Sequence, residues 1–381
     1  MTKYLLISDA SSMHVYNFLN IVIKDRGFKV YLITHTNTPI PMRNKILFQE
    51  LGVTLISTSH LFCSDKRDSI SRFIKFAYKW WYMFKIGTID ICHIHFLHKQ
   101  SCLLYLTKLM TIKHLILTYW GSDILRINKE DIEIQEKCFK HADLITLTVS
   151  NTFKHFKNTF PIQYHKKAKI IRFPCGGIEA IKSIKEEYTA EECKKILGIP
   201  TDKITIALGY NALPEQRHID CLKQLTTLPN EYKSKLCILL PLQYARIDNE
   251  YIRQVEYNAG LTSIDYFSFH QYMDPKEMAI LTCATNIYAT VRATDAFSNT
   301  LKEMLYSGTY IIQGKWLVYE ELDEIKWPRY QLDSLNQINK AVIQCIKDYY
   351  KQGDAPSCQF IWDMVSPSNV RKLWDQEFSL L

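Results

Sequence analysis

The stretch best equipped for chemistry is residues 286–314, NIYATVRATDAFSNTLKEMLYSGTYIIQG. It parses as a strand, a polar loop, a helix, a glycine turn and a second strand. Ser298 or Asn299 suits the helix N-cap, and Gly308 suits its C-terminal stop. A helix that begins at the carboxyl edge of a parallel sheet turns unpaired N–H groups outward, where a phosphate can accept them. Glu303 follows about a turn later, placed for its carboxylate to accept both hydroxyls of a ribose. A plain βαβ unit with a solvated acid would show the same pattern.

Three further strings carry polar groups at strand ends. In LGYNALPEQRHIDCLKQL (208–225), Gly209 permits close backbone approach. Asn211 offers an amide, and Arg217 and His218 open the next helix. Together they supply donors for a diphosphate without a P-loop; an ordinary βα loop with surface cations is the alternative. In TYWGSDIL (118–125), Asp123 is either a site acid or an N-cap. His93 and His95 alternate along IDICHIH (89–95) and so face one side of a strand. A metal site there would need a third ligand that the sequence does not indicate.

One more string bears on partners. ISRFIKFAYKWWYMFK (70–85) fits a helix. At about 100° per residue, Arg72, Lys75 and Lys79 fall on one side, and Phe73, Phe76, Trp80, Trp81 and Phe84 on the other. Basic residues beside a tryptophan-rich face suit an anionic membrane surface. A core-packed helix with solvated lysines fits equally.

The elements that must position these groups alternate regularly. Strand-like runs at 3–8, 29–34, 53–57, 89–95, 114–121 and 142–150 are separated by helical stretches, which implies a parallel sheet covered on both faces. A second series follows at 204–211, 236–242, 263–269, 286–291 and 309–314. The sequence predicts an N-terminal Rossmann-like domain over 1–180, a charged connection over 181–203, and a second such domain over 204–353. A terminal segment, 354–381, is expected to pack back on the body. No GxGxxG turn follows the first strand, so a tightly bound dinucleotide is not indicated.

Composition bounds the partners. A chain of 381 residues suits two domains, and its net charge of +8 favours anions. Nucleic-acid patterns such as RGG runs or zinc knuckles are absent, so no nucleic-acid partner is expected. The eleven cysteines include no CxxC pair and are odd in number, the usage of a reducing compartment. MTKYLLISDASS reads as a first strand rather than a signal peptide, and no apolar run is long enough to span a bilayer. The expected location is cytoplasmic, free or attached to the inner face of the membrane.

Segment 286–314 resembles the nucleotide-sugar motif of the retaining family-four GT-B glycosyltransferases, in which two glutamates are separated by seven residues. Asp295 and Glu303 stand at the matching positions. The resemblance implies a ribose contact for Glu303 and a donor-sugar contact for Asp295, shortened here from glutamate. LGYNALPEQRH resembles the GT-B phosphate loop, and its YNA…QRH form is similar to the bacterial 4-acetamido-4,6-dideoxygalactose transferases, which invert. The anomeric outcome is therefore open. WGSD resembles the HGxD or WGGD segment of the acceptor side, with Trp120 in place of histidine, and the resemblance sets His95 or a neighbour near the interdomain cleft. It also lays the loop SSMHVYNF against donor and acceptor, making His14 a candidate base or sugar contact.

The implied fold is α/β: two facing, doubly wound Rossmann-like domains with a cleft between them, the second binding a nucleotide-sugar donor. The implied reaction moves that sugar to a glycan or lipid-linked acceptor in bacterial surface polysaccharide synthesis. Arg217 and the helix start near Ser298 would stabilise the departing diphosphate, so no cofactor or metal is expected. Two rivals share the architecture, a UDP-N-acetylglucosamine 2-epimerase and a GT-B subunit that binds without transferring.

Overall fold

The computed structural model describes residues 1–36, 39–58, 69–108, 110–243 and 248–381. The chain forms two compact units, Met1–Pro174 with Pro367–Leu381, and Cys175–Ser366. Among the described residues no helix is long and apolar enough to cross a membrane.

In the first unit β1 (Lys3–Ser8), β2 (Lys29–Thr34), β3 (Thr54–Ile56), β4 (Ile89–His95), β5 (Ile112–Thr118), β6 (Leu144–Leu147) and β7 (Ala168–Ile170) make one sheet. Its order is β3-β2-β1-β4-β5-β6-β7, and every pairing is parallel. Successive side chains of a strand point to opposite faces, so a strand covered on both sides must be apolar throughout. Leu5 and Ile7 accordingly enter one core with Ile94 and Leu117, while Tyr4 and Leu6 enter another with Phe18 and Trp374. Trp374 belongs to the terminal helix Pro367–Phe378, which Arg371 ties to the carbonyls of Ile21 and Lys24 at 3.1 and 3.0 Å.

The second unit repeats the plan with β8 (Ile204–Leu208), β9 (Leu236–Pro241), β10 (Asp265–Phe269), β11 (Ile287–Thr290), β12 (Tyr310–Gly314) and β13 (Tyr330–Leu332). Their order is β10-β9-β8-β11-β12-β13, again parallel. The strand order reverses at β8 and β11, so the loops leaving these neighbours diverge and open a crevice at their carboxyl ends.

The structure moves the domain boundaries read from the sequence. Residues 181–203 are no free connection. The helices Gly177–Glu187 and Ala190–Ile196 bury Ile178, Ile181, Ile184 and Cys193 within the second unit, against the helix Pro275–Cys283. The terminal segment divides: residues up to Ser366 stay with the second unit, where the Cys358 amide donates to the Leu305 carbonyl at 3.0 Å.

A polar chain runs through the first core. The Tyr4 hydroxyl meets His93 Nδ1 at 2.6 Å, His93 Nε2 meets Thr118 Oγ1 at 2.6 Å, and Thr118 meets Thr146 at 2.6 Å. With both ring nitrogens engaged, His93 has no lone pair to offer a metal. His95 is fully buried, its ring 4.5 Å from Phe18 and 4.2 Å from His93, and neither nitrogen has a partner.

Burial lowers His95 to about 3 and His93 well below its ordinary range, so both are neutral in the fold. An unfolded histidine takes up its proton near pH 6.5. The stability these rings contribute is complete above about pH 6.5 and is lost as pH falls from there toward about 3. His95→Met, of similar volume, should flatten the loss of melting temperature on acidification by one titrating ring, up to about 1.4 kcal/mol per pH unit. Melting curves from about pH 7 to about pH 5 provide the check. An acid limb as steep as the parent's would place the effect on other groups.

Candidate functional site

The carboxyl edge of the second sheet carries two loops that a single arginine joins. The first leaves β8 at Gly209, whose φ of +64° is left-handed. A Cβ there would lie 2.8 Å from His218 Nε2, so only glycine fits. The Asn211 side-chain oxygen accepts from the Leu213 amide at 3.0 Å and from Gln216 Nε2 at 3.1 Å, bracing the turn. His218 opens the helix His218–Leu225, fully buried, with Nδ1 3.0 Å from the Tyr251 hydroxyl. Burial lowers it to about 4, so it meets Gly209 as a neutral ring.

The second loop leaves β11 and enters the helix Asn299–Ser307. Phe297 turns the chain with a φ of 59°, a strained value for an aromatic residue. It is held by burial against Tyr319, ring centroids 5.2 Å apart. One Asp295 oxygen accepts from the Ser298 amide and from the Tyr319 hydroxyl, both at 2.9 Å. The other lies 3.5 Å from Arg292 Nη1. Arg292 in turn donates to the Tyr210 hydroxyl of the first loop, with its guanidinium 5.3 Å from the Tyr210 ring centre. Asp295, for which the resemblance implies a donor-sugar contact, here holds the loop to the helix through its carboxylate.

Ser298 is the N-cap, yet its hydroxyl makes no capping bond and Oγ is buried without a partner. The amides of the first helical turn, from Asn299 onward, have no intrahelical acceptor. Asn299 Oδ1 stands 3.4 Å from Lys302 Nζ, and Lys302 is buried with its ammonium 5.2 Å from the Phe297 ring centre. This corner can therefore receive negative charge.

Glu303 follows one turn on. Its carboxylate accepts from the Cys175 thiol at 3.4 Å, and a Cβ on Gly177 would lie 2.2 Å from the same oxygen. Burial raises Glu303 to about 7; the Cys175 bond and the Lys302 charge act against the rise.

Other expected residues sit differently. Arg217, left-handed at φ 62°, pairs with Asp220 at 3.3 Å and lies 5.7 Å over Trp316. It lines an open pocket of about 500 Å³ with Asp220, Lys223, Trp316 and Asp333. In the first unit His14, His95 and Trp120 are brought together: His14 is 5.7 Å from Trp120, and Trp120 is 6.2 Å from His95. His14 is exposed and Trp120 partly buried, but His95 is core, so its acceptor-side role is corrected. Asp123, read as either a site acid or an N-cap, ties two loops together. Both its oxygens take backbone amides, those of Trp120 and Gly121 on one and Leu97 on the other, at 2.8–2.9 Å. Burial still lifts it to about 6.

Sequence reading missed Arg292, Lys302, Tyr319, Cys175 and Gly177. The cation in ATVR and the glycine pair in PCGG were the only local signals.

No protein-family model matches the chain, and no curated protein sequence does. Solved structures match over its whole length. HepE of Anabaena, in complex with UDP and glucose, is 11% identical with a TM-score of 0.71 over 100% of both chains. Sucrose-phosphate synthase of Thermosynechococcus elongatus is 13% identical, with a TM-score of 0.74 over 100% of both. UDP-GlcNAc 2-epimerase of Neisseria meningitidis, bound to UDP-GlcNAc, is 9% identical with a TM-score of 0.62, also over 100% of both. Together with the two parallel sheets, these matches define the fold as GT-B. That fold is common to glycosyltransferases and to an epimerase.

The thiol bond predicts a local effect. Cys175→Ala removes the donor that favours ionised Glu303, so the carboxylate should titrate at higher pH than the parent's value of about 7. NMR of carboxyl-labelled glutamate measures it, and an unmoved midpoint would detach the thiol from the carboxylate.

Proposed function

We propose that the chain is a glycosyltransferase that takes a sugar from a nucleotide-diphosphate donor and passes it to a glycan or lipid-linked acceptor, in the making of a bacterial surface polysaccharide. The observation that carries this is the pairing of Glu303 with the start of its own helix, where the Ser298 hydroxyl is buried without a partner. The GT-B fold, seen with UDP and glucose in HepE, supports the donor class.

In this scheme the Glu303 carboxylate accepts the two ribose hydroxyls, and the diphosphate rests on the amides and hydroxyl at Ser298–Leu301. Gly209 lets the backbone of the neighbouring loop approach the same phosphates, and Asn211 and His218 hold that loop in shape. Negative charge grows on the diphosphate as the sugar bond breaks, so groups fixed toward it stabilise the transition state more than the ground state. Arg292 and Lys302 supply positive charge close to the helix start, and Arg217 is assigned to the adjoining pocket. Protein groups carry the leaving charge without a cofactor. His14 and Trp120 are assigned to acceptor contacts of the first unit.

A carboxylate must be ionised to accept two hydroxyls, so nucleotide affinity should rise with pH through about 7, the value to which burial brings Glu303. The same burial makes the free site unstable when ionised. A group whose folded pKa is raised contributes stability below its unfolded value, near 4.5, and loses it as pH rises through about 7. Glu303→Gln should therefore raise the melting temperature of the free protein at about pH 8. It should also lose about 1.5–3 kcal/mol of nucleotide binding, one to two orders of magnitude in Kd. Thermal shift with a panel of nucleoside diphosphates reads both effects together. A variant that keeps the parent's nucleotide shift would remove Glu303 from the site. Product formed from donor alone, with no acceptor, would favour the epimerase reading.

A further inference from the structure

The helix Ser69–Ile86 lies in the first unit, and its two faces differ from both sequence expectations. Lys79, expected among the solvated cations, is buried and donates to the His35 carbonyl at 3.3 Å. Desolvation lowers it to about 8. Met83 is fully buried and Phe76 packs on the core beside it. The Trp80 indole N–H donates to the Thr107 carbonyl. The side chain of Arg72 lies outside the described residues.

Among the described residues, the opposite face is exposed. Phe73 is 72% exposed, Trp81 53% and Phe84 62%, with Ile74 at 39%. At about 100° per residue, Phe73, Ala77, Trp81 and Phe84 fall within an arc of about 80°. Three large aromatics in one stripe form a contiguous apolar patch, which a soluble surface rarely shows without a partner. Among the described residues of this helix the charge has one sign. The helix contains no Asp or Glu, and Lys85 flanks the stripe with its ammonium 5.3 Å over the Trp81 ring. Lys3 caps the last turn at the Ile86 carbonyl, 2.9 Å away. The nearby acid Asp90 is already paired with Lys113 at 2.7 Å.

We propose that this face docks on an anionic lipid surface, with Phe73, Trp81 and Phe84 in the headgroup boundary and Lys85 and Lys3 meeting lipid phosphates. Charge complementarity selects this occupant: an aromatic stripe with only cations beside it matches an interface that is apolar beneath and negative above. A second copy of the chain would bring the same lysines together and repel itself. The helix lies along the surface and does not cross it. Lipid attachment is independent of any sugar transfer, and its test needs no turnover.

Full-length protein is sedimented with phosphatidylcholine vesicles, with and without phosphatidylglycerol. Binding is expected only with phosphatidylglycerol, and salt should release it because such attraction is screened over about 10 Å at 0.1 M. Phe73→Ser with Trp81→Ser and Phe84→Ser should lower partitioning at least about tenfold. The melting curve should stay unchanged, since those rings are exposed. Lys85→Glu, which leaves every ring in place, should weaken binding by about fivefold or more. Equal binding to both vesicle types, or full binding by the aromatic variant, overturns the proposal. So does a parent dimer that the aromatic variant converts to monomer in size-exclusion chromatography.

Discussion

The candidate site depends on one buried cluster, the Asp295 carboxylate with the groups around it. It takes the Ser298 amide and the Tyr319 hydroxyl, and it stands beside Arg292, which reaches Tyr210 in the neighbouring loop. Without the carboxylate, the guanidinium would keep only the Tyr210 hydroxyl and ring and would stand partly buried without a counter-charge. The same carboxylate offsets the left-handed backbone of Phe297 by holding the residue that follows it. Two loops and one helix start are thus fixed by a single acid, and Glu303 inherits its position from that helix.

Parallel sheets explain why the polar groups collect where they do. Within each unit every strand runs the same way, so the carboxyl ends of that sheet open on one edge and the helices following them start there. Gly209, Asn211, Asp295 and Ser298 all lie just past β8 or β11, where the strand order reverses. In the first unit His14, Trp120 and Asp123 lie past β1 and β5 for the same reason. Asp123 shows how such a corner is built rather than what it catalyses: three amides from two loops converge on its two oxygens.

Periodic features were legible in the sequence, and long-range partnerships were not. Apolar runs such as KYLLIS and LCILLP announce strands covered on both faces, and the order of strand and helix announces the sheets. The loop after β8 and the segment around Glu303 stood out because their spacing is local. The roles of individual acids were hidden because their partners are distant: Tyr319 from Asp295 by 24 residues, Cys175 from Glu303 by 128. The connection at 181–203 was misread because charges cover its outer faces, while Ile178, Ile181 and Ile184 at near-helical spacing fill the inner one. Lys79 was placed outside by a wheel that fixes which residues share a face but not which face points inward. A long side chain can bury its stem and still reach a carbonyl, here that of His35, 44 residues away.

Glu303 joins these threads. A carboxylate brought to about 7 by burial is half ionised near neutral pH, and its charge is poorly solvated whenever it forms. The thiol of Cys175 gives one weak hydrogen bond, and the missing Cβ of Gly177 gives space rather than a donor. Such an acid is incompletely satisfied by its own protein, which is the condition under which hydroxyl donors from outside gain the most. A group retained for packing would be satisfied internally, as Asp295 and Asp123 are. The three acids therefore divide by their partners: Asp295 and Asp123, both buried, are occupied by backbone amides and side chains of their own fold, and the half-buried Glu303 is held open in the first turns of a helix.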